Sequence, residues 1–425
     1  MTNETYLSLI TIHGTIMVFF VLTAALSGTF SNLLIPLQLG ARDMASGFLN
    51  MVSYWLFFTS SVVMVSSLFT LLSGGNASGK SSILQALALL HQTMREHEWS
   101  SRLMLNGDAV RLGTVADVVD KVNGRRASEI GIQDERSYYR WVFSGERSDM
   151  SMVVESVEIG AARTENPEIL RHLLPFRSGL APDPLASRLK GLTYVTAERI
   201  GPREFYVLAD PQSAPVVGPA GEHAVCVLHL GRDAAVSAEL ALVDVPPTRL
   251  RQVEARMRTY FPGFGLAVQQ VPNANAVTLG LRTSDDTDFH RPIHVGFGIT
   301  QVLPIVVAAL SASKGDLLLI ENPEVHLHPS GQAEMGQFLG DVARSGVQLI
   351  VETHSDHVLN GIRRAVKSGR LTPDKVALHF FRPRSGQGAQ VLSPQIDSNG
   401  GIDTWPDGFF DQFDKDSSHF AGWGQ

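Results

Sequence analysis

Cysteine is nearly missing from this chain of 425 residues, with Cys226 as its sole example. No internal disulfide can form and no cysteine-based zinc cluster can be assembled, which suits a reducing compartment. A basic excess is missing as well: 35 Lys and Arg stand against 42 Asp and Glu, a net charge of -7. That balance gives no wholesale electrostatic reason to bind nucleic acid. The third absence is local. No Asp, Glu, Lys or Arg occurs between Glu4 and Arg42, and none between Asp43 and Lys80, whereas the rest of the chain is charged at ordinary soluble density. The first apolar run also lacks a basic start, which argues against a signal peptide.

What fills the uncharged stretch is apolar. "YLSLITIHGTIMVFFVLTAALSGTFSNLLIPLQLG" and "GFLNMVSYWLFFTSSVVMVSSLF" are each long enough to cross a hydrocarbon layer of about 30 Å. Two transmembrane helices are therefore expected over residues 8–69, attaching the chain to a membrane. The polar residues in "HGTIMVFFVLTAALSGTFSNLLIPLQLGARDM" and "LNMVSYW" resemble the second and third membrane helices of haem-copper (cytochrome c) oxidase subunit I. The resemblance implies that His13 stands at the position of an axial haem ligand, and Asn32, Asp43 and Asn50 at the mouth of a proton channel. The opposite haem ligand and the copper histidines belong to later helices of that family. His13 thus reads either as a haem ligand by family position or as a leftover polar residue, and oxidase activity is not expected of the chain alone.

"GGNASGKS", Gly74 to Ser81, satisfies the phosphate-loop pattern G-x-x-x-x-G-K-[ST]. Gly74 and Gly79 let backbone N–H groups, with Asn76 between them, turn inward around phosphate oxygens. Lys80 is placed to reach the β- and γ-phosphates and Ser81 to set its hydroxyl on Mg²⁺, with Ser82 beside it at a helix N-terminus that favours an anion. "FTLLS" just ahead reads as the strand that carries the loop. In "GDLLLIENPEVHLHP" a buried parallel strand, Leu317 to Ile320, delivers Glu321 as a magnesium-orienting carboxylate, followed by Asn322 and Glu324. "VQLIVETHSDHVL" is a second buried strand, ending in Thr353 and His354, the latter placed to sense a γ-phosphate. "HVGFGITQVLPIVVAAL" opens a helix from a glycine-rich turn containing Gly296, Gly298 and Gln301.

Together these motifs look like the ABC-type ATPase core of the SMC and RecF relatives. "ETHSDHVLNGIRRAV", "YVTAERIGPRE" and "GGIDTWPDGFFDQ" narrow the resemblance to prokaryotic stand-alone AAA-type ATPases related to the overcoming-lysogenisation-defect nucleases and to phage-defence ATPases. It implies an α/β P-loop NTPase over residues 70–425 with a family-specific tail from about residue 380; inside it, short strand-like runs such as "YYRWVFSG" and "MSMVVESVEIG", between turn-rich pieces of Ser101 to Glu158, read as a β-rich insertion after the first helix. Two transmembrane α-helices in 1–69 would precede it. It also implies ATP and Mg²⁺ as ligands, a homodimer that sandwiches ATP between one phosphate loop and the partner's Gly296–Gln301 turn, and an effector protein or DNA as a further partner. Asn322 departs from the family, many of whose members carry there a glutamate that polarises water. Asparagine cannot take a proton, so slow turnover is expected, with Glu324 or a water held by His354 substituting.

Other readings of the same residues stay open. His326, His328, His354 and His357 have spacings that zinc also uses. Arg199 and Arg203 stand near the phosphates or fix a turn. Arg171, Arg177, Arg188 and Lys190 form a solvated face or a DNA contact. The membrane reading and the ATPase reading collide at Leu68 to Ser73. With the "GARDM" turn on the cytoplasmic side of a bacterial inner membrane, two spans would deliver the ATPase to the outer face, away from the cytoplasmic ATP it needs. Either the helices insert inverted, or they do not both insert, or the chain is an accidental gene fusion, the last being the favoured hypothesis; a membrane-embedded oxidase fragment with an inert ATPase passenger is the competing class.

Overall fold

Short apolar runs that end in glycine or a carboxylate suit strands buried on both faces, and such runs build the main sheet of the described residues. The computed structural model describes residues 67–422 except 77, 120–125, 134–136, 177–182, 209–216 and 383–389. The chain enters on β1 (Phe69–Gly74) and passes through the glycine-rich loop into α1 (Lys80–Glu96). It then leaves the centre for β2 (Arg102–Met104), the short α2 (Val115–Val118), β3 (Ala127–Gln133), β4 (Tyr138–Ser144), β5 (Ser151–Ile159) and β6 (Ala162–Glu165). A two-residue ladder of β7 (Leu170–Arg171) and β8 (Leu174–Pro175), then α3 (Pro184–Lys190), lead back to β9 (Thr193–Val195). There follow β10 (Tyr206–Val207), α4 (Ala224–Leu230), α5 (Arg249–Tyr260) and the hairpin β11 (Gly265–Gln270) and β12 (Ala276–Arg282). α6 (Phe297–Ser311) precedes β13 (Leu317–Glu321), α7 (Pro329–Arg344) precedes β14 (Gln348–Glu352), and α8 (Asp356–Lys367) precedes β15 (Val376–Phe381). β16 (Val391–Leu392) and α9 (Gln412–Phe420) complete the described chain.

The central six-stranded sheet has the order β16-β15-β1-β14-β13-β9, parallel throughout except for the edge strand β16. Side chains alternate between its faces as the two-residue period of a strand requires. Phe69, Leu71, Leu318, Ile320, Leu349 and Val351 enter one core cluster, which contains buried residues of α5, α6, α7 and α8. Leu72, Leu317, Leu319 and Ile350 enter the other, shared with Leu84 and Leu87 of α1 and with Trp141 and Phe143 of β4. The antiparallel layer β2-β5-β4-β3, with β6 on β5, therefore covers one face through α1. Because the central strands run parallel, Gly74, Glu321 and Glu352 all end on one edge of the sheet, where α/β proteins place ligands.

The expectation of two transmembrane helices is corrected. Among the described residues no helix is long and apolar enough to cross a membrane. The end of the second apolar run, moreover, is sheet. The Leu68 N–H donates to the Lys375 carbonyl at 3.0 Å and the Leu68 carbonyl accepts from the Leu349 N–H at 2.8 Å. A residue laddered on both sides cannot also carry helical i to i−4 bonds, so the sheet takes the chain from Leu68 onward. The remainder of the expected spans, with His13, Asn32, Asp43 and Asn50, lies outside the described residues. Arg188 and Lys190, of the basic stretch 171–190, lie in the last turn of α3.

Candidate functional site

β1 ends against β15 so closely that a side chain at Gly74 has nowhere to go: an added Cβ would lie 2.2 Å from the Phe381 carbonyl oxygen, and φ there is 139°. Only glycine accepts both conditions. Gly79, at φ 100°, caps α1 and turns the chain into the helix. Lys80 is buried, and its Nζ donates to the carbonyls of Gly74 at 3.1 Å and Gly75 at 2.9 Å. Burial lowers the Lys80 pKa, and the neighbouring Glu352 opposes that shift. Asn76 and Ser82 are exposed at the loop and the first turn of α1. From the tail, Gln390 donates to the Ser78 carbonyl at 2.7 Å and braces the loop from outside.

Ser81 donates its hydroxyl to both oxygens of Glu352, at 3.2 and 3.0 Å, and Lys80 Nζ stands 3.9 Å from the same carboxylate. Glu352 ends β14, the strand between β1 and β13, and sequence reasoning missed it. The available signal was an acidic residue closing a buried run; the sheet order that sets it beside Ser81 is not written in any local pattern. Burial raises the Glu352 pKa, the Ser81 hydrogen bond lowers it, and Glu321 raises it again.

Glu321 lies at the end of β13 in register with Glu352. Its Oε1 accepts from the Tyr194 hydroxyl at 2.5 Å and its Oε2 from the Ala197 N–H at 3.0 Å. Arg199 reaches the backbone instead of the phosphate side: it donates to the carbonyls of Glu321 and Asn322, each at 2.8 Å, and of Thr196 at 3.0 Å. Burial brings the Arg199 guanidinium down to about 10, with Glu324 and Glu321 opposing. Asn322 adopts a left-handed φ of 43°, a conformation asparagine tolerates. Its N–H donates to the Glu352 carbonyl at 2.8 Å, while its buried Oδ1 has no hydrogen-bond partner among the described residues. Glu324 accepts from Thr353 Oγ1 at 2.7 Å and from the His354 N–H at 2.9 Å. The His354 ring is exposed, and partial burial, then the Lys80 charge, lower its pKa against the pull of Glu324.

The glycine-rich turn opens α6, with Gly296 as its N-cap. An added Cβ on Gly298 would meet the His326 carbonyl at 2.9 Å, so the helix start sits tightly on that loop. Gln301 is turned inward: it is 3% exposed, and its Nε2 donates to the carbonyls of Arg199 and Ile200, both at 3.2 Å. The structure thus gathers Gly74, Gly79, Lys80, Ser81 and Glu352 at one strand end. It sets Glu321, Asn322, Glu324 and His354 at the neighbouring ends, and spends Gln301 on the Arg199 turn. A buried ammonium, a hydroxyl at a helix N-terminus and the Glu352 carboxylate beside them form a donor set that fits a magnesium–triphosphate.

Residues 1–135 match the family described as Cytochrome C and Quinol oxidase polypeptide I. Residues 232–360 match an "AAA domain" family, whose description also names the AbiEii toxin of type IV TA systems, and residues 371–418 match a "Protein of unknown function (DUF3696)". The phosphate loop falls inside the range of the oxidase match, yet β1 is laddered between β14 and β15, which belong to the other two ranges. The "Alternative cytochrome c oxidase subunit 1" of Bradyrhizobium diazoefficiens is 41% identical over 101 residues, 24% of this chain and 17% of that protein. The "Cytochrome c oxidase subunit 1" of Synechocystis is 38% identical over 112 residues, 26% of this chain and 19% of that protein. The chain therefore spans less than a fifth of these relatives. Among solved structures, the Smc head domain with an extended coiled coil from Pyrococcus furiosus, bound to the C-terminal domain of ScpA, aligns at TM-score 0.43 and 12% identity, over 77% of this chain and 90% of that one. The SMC head domain of Thermotoga maritima aligns at TM-score 0.34 and 10% identity, over 78% and 92%. The chain joins a segment similar to haem-copper oxidase subunit I to a P-loop domain similar to AAA-type ATPases.

Proposed function

We propose that the chain binds ATP with Mg²⁺ at Gly74–Ser82 and hydrolyses it slowly, in a homodimer closed over the nucleotide. The observation that supports this best is the convergence of Lys80, Ser81 and Glu352 at the strand end where Gly74 admits only backbone. Lys80, now folded onto the loop carbonyls, would swing to the phosphates, and the N-terminus of α1 would receive their charge. Magnesium, when bound, would neutralise charge on the β- and γ-phosphate oxygens. The weak point for catalysis is proton transfer. Asn322 accepts none, and both oxygens of Glu324 already accept hydrogen bonds from Thr353 and His354. His354, neutral near pH 7 because its pKa is lowered, is the exposed group left to hold a water.

Closure would bring the Gly296–Gly298 helix start of one protomer over the phosphate loop of its partner, and an effector protein or DNA would read that closure. A need for cytoplasmic ATP sets where the domain would work. The oxidase-like segment carries no oxidase function in this reading. The test is equilibrium dialysis of ATP against the full-length chain, with phosphate release measured in parallel. Magnesium-dependent binding that Lys80→Ala removes, with turnover well below about 1 s⁻¹, is the expected result; absence of binding refutes the proposal.

A further inference from the structure

Two carboxylates end neighbouring strands in direct register, Glu321 on β13 and Glu352 on β14. β14 separates β13 from β1, so Glu352 stands one strand closer to the phosphate loop, a step of about 4.8 Å. Their oxygens are committed differently. Glu321 has one oxygen on the Tyr194 hydroxyl and the other on the Ala197 N–H, both groups belonging to β9 and its following turn, on the side away from β1. Glu352 is 5% exposed and turns its oxygens to Ser81 and Lys80.

A buried carboxylate is costly unless a cation or several donors compensate it. Lys80 meets that need only in part, since its ammonium also serves the Gly74 and Gly75 carbonyls and lies 3.9 Å from Glu352. Once Lys80 turns to a triphosphate, Glu352 would keep the Ser81 hydroxyl alone. That hydroxyl donates its proton to Glu352 and leaves its lone pairs for a cation. Deepening the nucleotide reading, on which this rests, we propose that Glu352 together with Ser81 holds the magnesium of the bound nucleotide, and that Glu321 is a positioning residue that ties β13 to the Tyr194–Ala197 turn.

The experiment titrates ATP calorimetrically into the full-length chain, with Mg²⁺ and again with EDTA, and reads the ratio of the two dissociation constants. Glu352→Gln and Ser81→Ala should each shrink that ratio by about tenfold or more. The double variant should do no worse than either single one, because the two groups act as a unit. Metal-free ATP should bind Glu352→Gln more tightly than the unaltered chain, because a carboxylate facing the phosphates is gone. Glu321→Gln should keep the ratio and lower the melting temperature instead. Should Glu352→Gln fail to fold, Glu352→Asp decides: partial retention of the ratio supports the assignment, and an undiminished ratio overturns it. Loss of the ratio in Glu321→Gln with retention in Glu352→Gln overturns it too. Absence of ATP binding by the unaltered chain would instead remove the nucleotide reading, and this proposal with it.

Discussion

Replacing Gly74 by alanine probes the strand end on which the whole site is mounted. The new methyl would sit 2.2 Å from the Phe381 carbonyl oxygen and 2.9 Å from the Phe381 nitrogen, with φ at 139°. Holding a non-glycine residue in that backbone region costs about 1–3 kcal/mol. Relieving the overlap breaks the last rung between β1 and β15, Gly74 against Phe381, and an unmet buried backbone group costs about 1–3 kcal/mol more. The sum is about 2–6 kcal/mol, a large fraction of an ordinary domain's stability. Urea unfolding followed by far-ultraviolet circular dichroism reads it as a lowered midpoint, and ATP binding should weaken in parallel. Gly75 is the control: an added Cβ there meets nothing within 4 Å among the described residues, and Gly75→Ala should be tolerated. Equal midpoints for the unaltered chain, Gly74→Ala and Gly75→Ala would refute the close β1–β15 approach on which the site is mounted.

Three more outcomes follow from the site. Asn322→Glu should raise turnover by about 10²-fold at a cost of about 1 kcal/mol or more for its left-handed backbone; unchanged phosphate release would show that this position does not address the attacking water. Gly298→Ala should abolish turnover and ATP-dependent dimerisation, read by light scattering, while ATP binding persists; equal loss of binding would contradict the role given to the α6 turn. Burial holds His91 and His379 at about 4, below the ordinary 6.5. A folded-state pKa below the unfolded one means that the unfolded chain takes up protons first. Stability should therefore be level above about pH 6.5 and fall towards pH 4, by about 3 kcal/mol for each histidine. His379→Gln should flatten that fall in urea midpoints taken across the range, and an unaltered slope would contradict the assignment.

The strands β1, β13 and β14 were legible because their apolar runs are short, continuous and closed by glycine or a carboxylate. The strands of the antiparallel layer were legible for the opposite reason, since "YYRWVFS" alternates and buries Tyr139, Trp141 and Phe143 on one face. Sheet order was not legible. Parallel strands joined through helices carry no local mark of their neighbours, so Glu352 is not read from the sequence although it lies against Ser81. The inward turn of Gln301 onto the Arg199 and Ile200 carbonyls is not legible for a related cause: a helix-opening motif names its glycines but does not say which way a buried glutamine turns. The same limit hid Gln390, more than three hundred residues from the Ser78 carbonyl it braces. The apolar second run pointed to a membrane up to Phe69. Apolar content alone does not distinguish a membrane helix from a doubly buried strand, and pairing with Lys375 and Leu349 decided the matter.

Amide hydrogen exchange on the peptide covering Ser67 to Leu84, with and without Mg-ATP, tests most directly the claim that a buried strand carries a working phosphate loop. The account predicts slow exchange at Thr70 to Ser73 in the free protein, set by their ladders to β14 and β15, and new protection from Gly74 to Ser82 when Mg-ATP is added. Rapid exchange at Thr70 to Ser73, or a loop whose exchange ignores Mg-ATP, would contradict it.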